Sequence, residues 1–230
     1  MVLDHPLLFP ALTLGVYAAS AALYEKTGKP AILQPVLVSV IVLGAVLAVL
    51  GIPTATYAAD MDFFVLLLTP AIVALAVPLY QNLQQARDSA FVLAMAILVG
   101  GSLILLGALG LSSLAGLEPP YLLPMLTKSV SAPIAISIAE QTDAVIALTI
   151  LAVFSTGLPG SVLVPGLLKL FRLREEALQG LVLGITCHAF GIARAVEISP
   201  RATAFATLGM GLMGCFVALT VPTLAKLLGL

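Results

Sequence analysis

Tyr121-Leu122-Leu123-Pro124-Met125-Leu126-Thr127-Lys128-Ser129-Val130-Ser131-Ala132-Pro133 is the stretch on which the reading of this chain turns. Its second half sets a lysine, three hydroxyls and a proline inside a segment that is otherwise apolar, but for Ser137, from Tyr121 to Ala139. The surroundings decide what that means. The chain is 61% hydrophobic and 9% charged, with a mean hydropathy of +1.17, so the lysine is expected at membrane depth. A cation there costs about 2.5–3.5 kcal/mol on insertion scales, and its presence reads as functional. The competing reading puts Lys128, eight residues after Pro120, near a segment end with its charged head at the interface.

Apolar runs of about 18 residues or more are candidate membrane spans. Eight occur, at about 7–24, 31–51, 61–80, 88–113, 121–139, 143–168, 178–197 and 201–228. Little remains for a soluble domain, so the expected fold is a single all-α polytopic bundle over 1–230. Met1-Val2-Leu3-Asp4-His5-Pro6 lacks the basic region of a cleaved signal peptide, so the first segment is expected to be retained. A net charge of −1 and the lack of a basic run argue against nucleic acid. Cys187 and Cys215 lie in apolar segments and read as small packing residues, with no metal-ligand spacing. Tyr24, Tyr57, Tyr80 and Tyr121 fall near segment ends, as an interfacial aromatic belt would place them.

Sliding the chain on itself by 114 residues aligns Pro6, Leu8, Pro10, Leu12, Thr13, Val16, Ala18 and Ala21 with identical partners. Arg87 and Phe91 then meet Arg201 and Phe205, and Gly100 meets Gly214. This suggests two repeats, about 1–114 and 115–230. At the same offset Lys26 meets Glu140, Lys29 meets Asp143 and Asp60 meets Arg174. Lys and Arg favour cytoplasmic loops, so the repeats are expected to be inverted, as in many secondary transporters. Inversion requires an odd number of crossings per repeat. The third segments, 61–80 and 178–197, carry paired prolines or glycines and are the expected broken or re-entrant ones. This arrangement puts Lys26, Lys29, Lys169, Arg172 and Arg174 inside and leaves Arg87 and Lys226 outside. Seven or eight plain crossings remain the alternative.

Three places could carry chemistry. The first is Thr127, Lys128, Ser129, Ser131 and Pro133, where a proline frees backbone carbonyls and hydroxyls can satisfy them. The second is Gly184 to Arg194, where a break would aim N–H groups inward and Thr186, His188 and Arg194 add polar or cationic capacity. The third is the break at Thr69 to Tyr80, which offers only those two polar residues. The cationic bias points to an anion. Against that, Arg194 and Glu197 stand i, i+3 and can simply pair, a histidine beside a cysteine is more often a core residue, and Gly-rich rows more often serve close helix packing. No enzyme site is legible: there is no phosphate loop, no metal set and no Ser-His-Asp arrangement, and no cofactor is expected.

Lys128-Ser129-Val130-Ser131-Ala132-Pro133, the run Gly184 to Glu197 with His188-Ala189-Phe190-Gly191-Ile192-Ala193-Arg194-Ala195, and Ala76-Val77-Pro78-Leu79-Tyr80 resemble the LrgB/CidB-like membrane proteins. That family is related to the C-terminal half of the plastid glycolate/glycerate translocator. The chain departs from its pattern at Thr127, at Ser131-Ala132 and at Gln81. The resemblance implies a multi-pass protein of the cytoplasmic (inner) membrane, with one of two functions. One is alternating-access transport of small monocarboxylates such as glycolate, glycerate or pyruvate. The other is a holin/antiholin-like control of murein hydrolase activity and lysis, with a small LrgA/CidA-type membrane partner. The residues favour transport, with a small carboxylate and the lipid bilayer as partners; a homo-oligomer is left open.

Overall fold

A computed structural model describes residues 7–61, 64, 66, 67, 70, 73, 74 and 76–229. It is all-α among the described residues and divides into two compact units, 1–74 and 75–230. Its helices are apolar on the outside as well as within: Leu103, Leu106, Leu111 and Leu219 are all 60% exposed or more. A water-soluble bundle does not present such surfaces; a bilayer requires them. The protein is a multi-pass membrane protein.

In the first unit α1 (Leu8–Lys26) and α2 (Pro35–Val49) are packed together, with α3 (Thr54–Ala59) following. The turn after α1 uses positive φ at Gly28 (80°) and Lys29 (61°). Pro35 starts α2 at a position whose N–H has no helical partner in any case. The Thr13 hydroxyl shares a hydrogen bond with the Tyr57 hydroxyl at 2.8 Å, and the Phe9 and Tyr57 rings meet edge to face. Tyr57 thus returns to the start of α1, so α1 and α2 run antiparallel. Segment 61–80 falls largely outside the described residues.

The second unit opens with α4 (Ala76–Gln81) and α5 (Leu83–Asp88) and contains α6 (Ala90–Leu114), α7 (Pro119–Leu126), α8 (Ala132–Gln141), α9 (Ile146–Leu170), α10 (Glu176–Val196) and α11 (Pro200–Leu228). Helices α6, α9 and α11 are long and apolar enough to cross a membrane. A π-helical stretch, Ala96–Gly101, interrupts α6 where Gly101 lies against the Phe216 ring of α11. A Cβ at Gly101 would come within 2.9 Å of that ring.

The segments between the crossings turn back. A straight helix from Pro119 to Gln141 would separate its ends by ~33 Å. Yet the Val145 N–H donates to the Pro120 carbonyl at 3.1 Å, and the chain after Gln141 can recover only ~14 Å by then. The segment 121–139, expected to cross, is therefore a hairpin with arms α7 and α8.

The second hairpin is α10 itself, although its composition would suit a crossing. Ser199 Oγ donates to the Glu176 carboxylate at 2.7 Å, and Arg201 pairs with Glu175 at 2.7 Å, so both ends of α10 lie together. The corner is His188, at φ 44° and ψ −124°. Gly191 is carried back against the Leu183 carbonyl, eight residues earlier, which a straight helix would hold ~12 Å away. The first arm, 176–187, runs parallel to α11: Gly180 lies against the Ala202 carbonyl and Gly184 against that of Ala206. This small-x-x-x-small pairing lets two backbones approach closely in a bilayer.

Chain order then fixes the sides. The α7–α8 hairpin opens at the end of the unit holding Leu114, and α10 opens at the opposite end. Ser89, Glu175 and Arg201 line one cavity at that second end. Arg87 therefore shares a face with Arg172 and Arg174, a correction to the expectation that it lay opposite them. The error was one of parity: counting 121–139 as a crossing moved Arg87 to the wrong side.

Candidate functional site

The two hairpin tips form the candidate site. The arm α7 rises ~12 Å and the arm 176–187 rises ~18 Å. Entering from opposite faces, they add to the ~30 Å thickness of a hydrocarbon core. Their tips also reach the same level of α9. His188 Nε2 is 3.2 Å from the Val153 carbonyl, which lies ~10 Å along α9 from its Ile146 end. The α7 arm starts beside Val145, whose N–H donates to the Pro120 carbonyl, so its ~12 Å rise ends at about the level of Val153.

The α7–α8 tip is polar and mostly enclosed. Thr127 and Ser129 are each 2% exposed, and the Thr127 hydroxyl donates to the Pro124 carbonyl at 3.0 Å. Lys128 is half-buried, its Nζ 3.4 Å from Ser129 Oγ, and among the described residues it has no ion pair. Ser131 precedes α8 in extended conformation without capping it through its side chain. Pro133 is exposed in the first turn of α8. The proline therefore starts a helix rather than breaking one: at that position an N–H would have no helical partner anyway. Lys128 stands at a tip about one arm's length deep, not at a segment end.

The second tip is apolar around a single histidine. His188 is 2% exposed and packs edge to face on Phe190. Its ring occupies the space beside Gly157 of α9, and the Cys187 thiol fills that beside Gly160. The chain breaks at His188, inside the stretch expected to break, while Gly184 lies within a regular arm and serves contact with α11. Thr186 Oγ1 donates to the Val182 carbonyl of its own helix at 2.6 Å. Arg194, in the last turn of the returning arm, pairs with Glu197. Tyr80 is 77% exposed, and Thr69 lies outside the described residues. Thr127 to Ser131 and His188 thus reach one level, whereas Arg194 and Tyr80 stand apart from it. Sequence reasoning missed Val153, Gly157 and Gly160, the wall on which the His188 tip rests. The spacing of glycines in 157–161 was the available signal.

The description "LrgB-like family" matches residues 13–227. The holin-like protein CidB of Staphylococcus epidermidis is 28% identical over 216 residues, covering 94% of each chain. The holin-like protein CidB of Staphylococcus aureus is 28% identical over 221 residues, covering 96% of each. The uncharacterized protein YxaC of Bacillus subtilis is 32% identical over 201 residues, covering 87% of each. No solved structure matches.

These relatives overturn the expectation of monocarboxylate transport in favour of its holin-like alternative. The geometry supplies the physical reason that the charge pattern misled. Of the three groups assigned to a carboxylate, Arg194 is committed to Glu197 and the His188 ring to a backbone carbonyl, which leaves Lys128 alone.

Proposed function

The chain belongs to the LrgB-like family, and from that premise we propose that it acts as a holin-like protein of the cytoplasmic membrane. In this reading it regulates murein hydrolase activity and lysis by controlling how far the membrane is sealed, together with a small LrgA/CidA-type membrane partner. The observation that carries the reading is the pair of opposed half-depth hairpins. Where a crossing helix seals the bilayer along its whole length, two hairpins seal it only where their tips meet. Separating the tips opens a path while α6, α9 and α11 stay in place. The residues at that closure are Thr127, Lys128, Ser129 and Ser131 on one side and Thr186 and His188 on the other, and the first four offer water ready hydrogen-bond partners.

The face carrying Arg87, Lys169, Arg172, Arg174, Arg194 and Arg201 is assigned to the cytoplasm, against Lys226 alone at the other end of the unit. The 114-residue offset remains our reading of two repeats, with two local correspondences in its favour. Long helices end at Leu114 and Leu228, and positive φ recurs at Lys29 (61°) and Asp143 (52°).

The test is release of a trapped dye from liposomes containing the purified chain, with and without the small partner. Release is expected above that of empty vesicles, and Lys128→Leu combined with Ser129→Ala is expected to return it to the empty-vesicle level. Vesicles that stay sealed under both conditions would overturn the proposal.

A further inference from the structure

Between α6 and α11 lies an open groove of about 510 Å³, lined by Ala90, Leu93, Ala94 and Ile97 on one side and Leu208 and Leu212 on the other, with Arg87 at its head. We propose that this groove holds an anionic phospholipid, one acyl chain along the apolar floor and the headgroup phosphate on Arg87.

Four observations on the groove converge. Ala90, Ala94 and Ile97 recur at helical spacing on one face of α6, and the two alanines hollow the groove where larger side chains would fill it. The floor is apolar and open on a molecule whose outer surface is lipid-facing, so hydrocarbon is the occupant that leaves no polar group unmatched. Arg87 stands one turn before the crossing helix begins, the level at which a lipid phosphate lies. Its guanidinium also has no hydrogen bond or ion pair among the described residues; the same holds of Arg172 and Arg174, but Arg87 is the one that lines the groove. Arg201 is paired with Glu175 and Arg194 with Glu197, while the adjacent Asp88 carboxylate accepts from Gln84 Nε2 at 3.1 Å.

A guanidinium binds phosphate through two parallel hydrogen bonds. On the face assigned to the cytoplasm it meets a leaflet bearing negative lipids. Net headgroup charge, rather than the phosphate alone, is therefore expected to set the preference. This site lies on the outer side of α6 and α11 and does not depend on the holin-like reading.

Native mass spectrometry of the full chain, titrated with phosphatidylglycerol or phosphatidylcholine, tests it. Phosphatidylglycerol is expected to bind about fivefold tighter, the contribution of one cation near an anionic headgroup. Arg87→Gln is expected to remove that preference. Ala94→Phe fills the floor and is expected to weaken both lipids; Leu212→Trp does the same from the opposite wall if the first variant fails to fold. Arg174→Gln, on the same face but away from the groove, is expected to leave binding unchanged. Equal binding of the two lipids, or full binding by both groove-filling variants, overturns the proposal. So does a dimer of the wild type that Ala94→Phe dissociates without loss of lipid, since the groove's occupant would then be a second copy.

Discussion

The two hairpins solve the same problem by opposite means. In α7–α8 the chain reverses through a short run of polar residues, Thr127 to Ser131, with Pro133 helping the returning helix to start. In α10 it reverses at one residue, His188, whose positive φ is supported by packing on α9. The first turn is made by local composition, the second by tertiary contact. The difference teaches where each is vulnerable. A polar turn at membrane depth depends on enclosure, since its hydroxyls and lysine need partners or water. A single strained corner depends on its neighbours over-determining it.

The largest effect to look for is an all-or-none one. With Cys187 and Cys215 replaced by alanine, cysteines introduced at Glu118 and at Glu140 are expected to label from the same face of the membrane. Labelling from opposite faces would make α7–α8 a crossing and dissolve the comparison.

Next comes the wall behind the α10 hairpin. Gly184→Ala would stabilise an isolated helix by about 1 kcal/mol. Here the new methyl meets the Ala206 backbone, which cannot yield as a flexible side chain can, and a loss of about 3 kcal/mol is expected. Thermal unfolding in detergent measures it, and a variant as stable as the parent would mean that arm 176–187 does not touch α11.

The smallest effect concerns the corner itself. His188→Ala and His188→Gly both lose the ring and its bond to Val153, but only glycine relieves the backbone. Glycine is expected to be the more stable of the two by about 1 kcal/mol, the reverse of their order within a helix. An alanine variant at least as stable as the glycine one would show that the corner is unstrained.

Much of this could be read from residues. The apolar runs gave an all-helical membrane protein, and Lys128 with its hydroxyls stood out, though as part of a crossing and not as a tip. Hydropathy cannot tell a helix that continues from one that returns, because both expose the same apolar length to lipid. That is why 121–139 was counted as a crossing and Arg87 was assigned to the wrong face. The second corner was harder still. Gly184 and Gly191 suggested a weak helix, yet both are there to let backbones touch, and the residue that turns is a histidine whose conformation depends on Gly157 of another helix. The pairing of Arg194 with Glu197 is legible from their i, i+3 spacing.

The clasp between Glu175–Glu176 and Ser199–Arg201 also bears on how the protein is made. The chain leaves the ribosome from its N-terminus, so the whole of α10 is synthesised before Ala202 and Ala206, the residues its first arm rests on. During that interval the segment has the length and hydrophobicity of a spanning helix and none of the contacts that fold it back. The contacts that fold it back come from α11, which follows it in the chain.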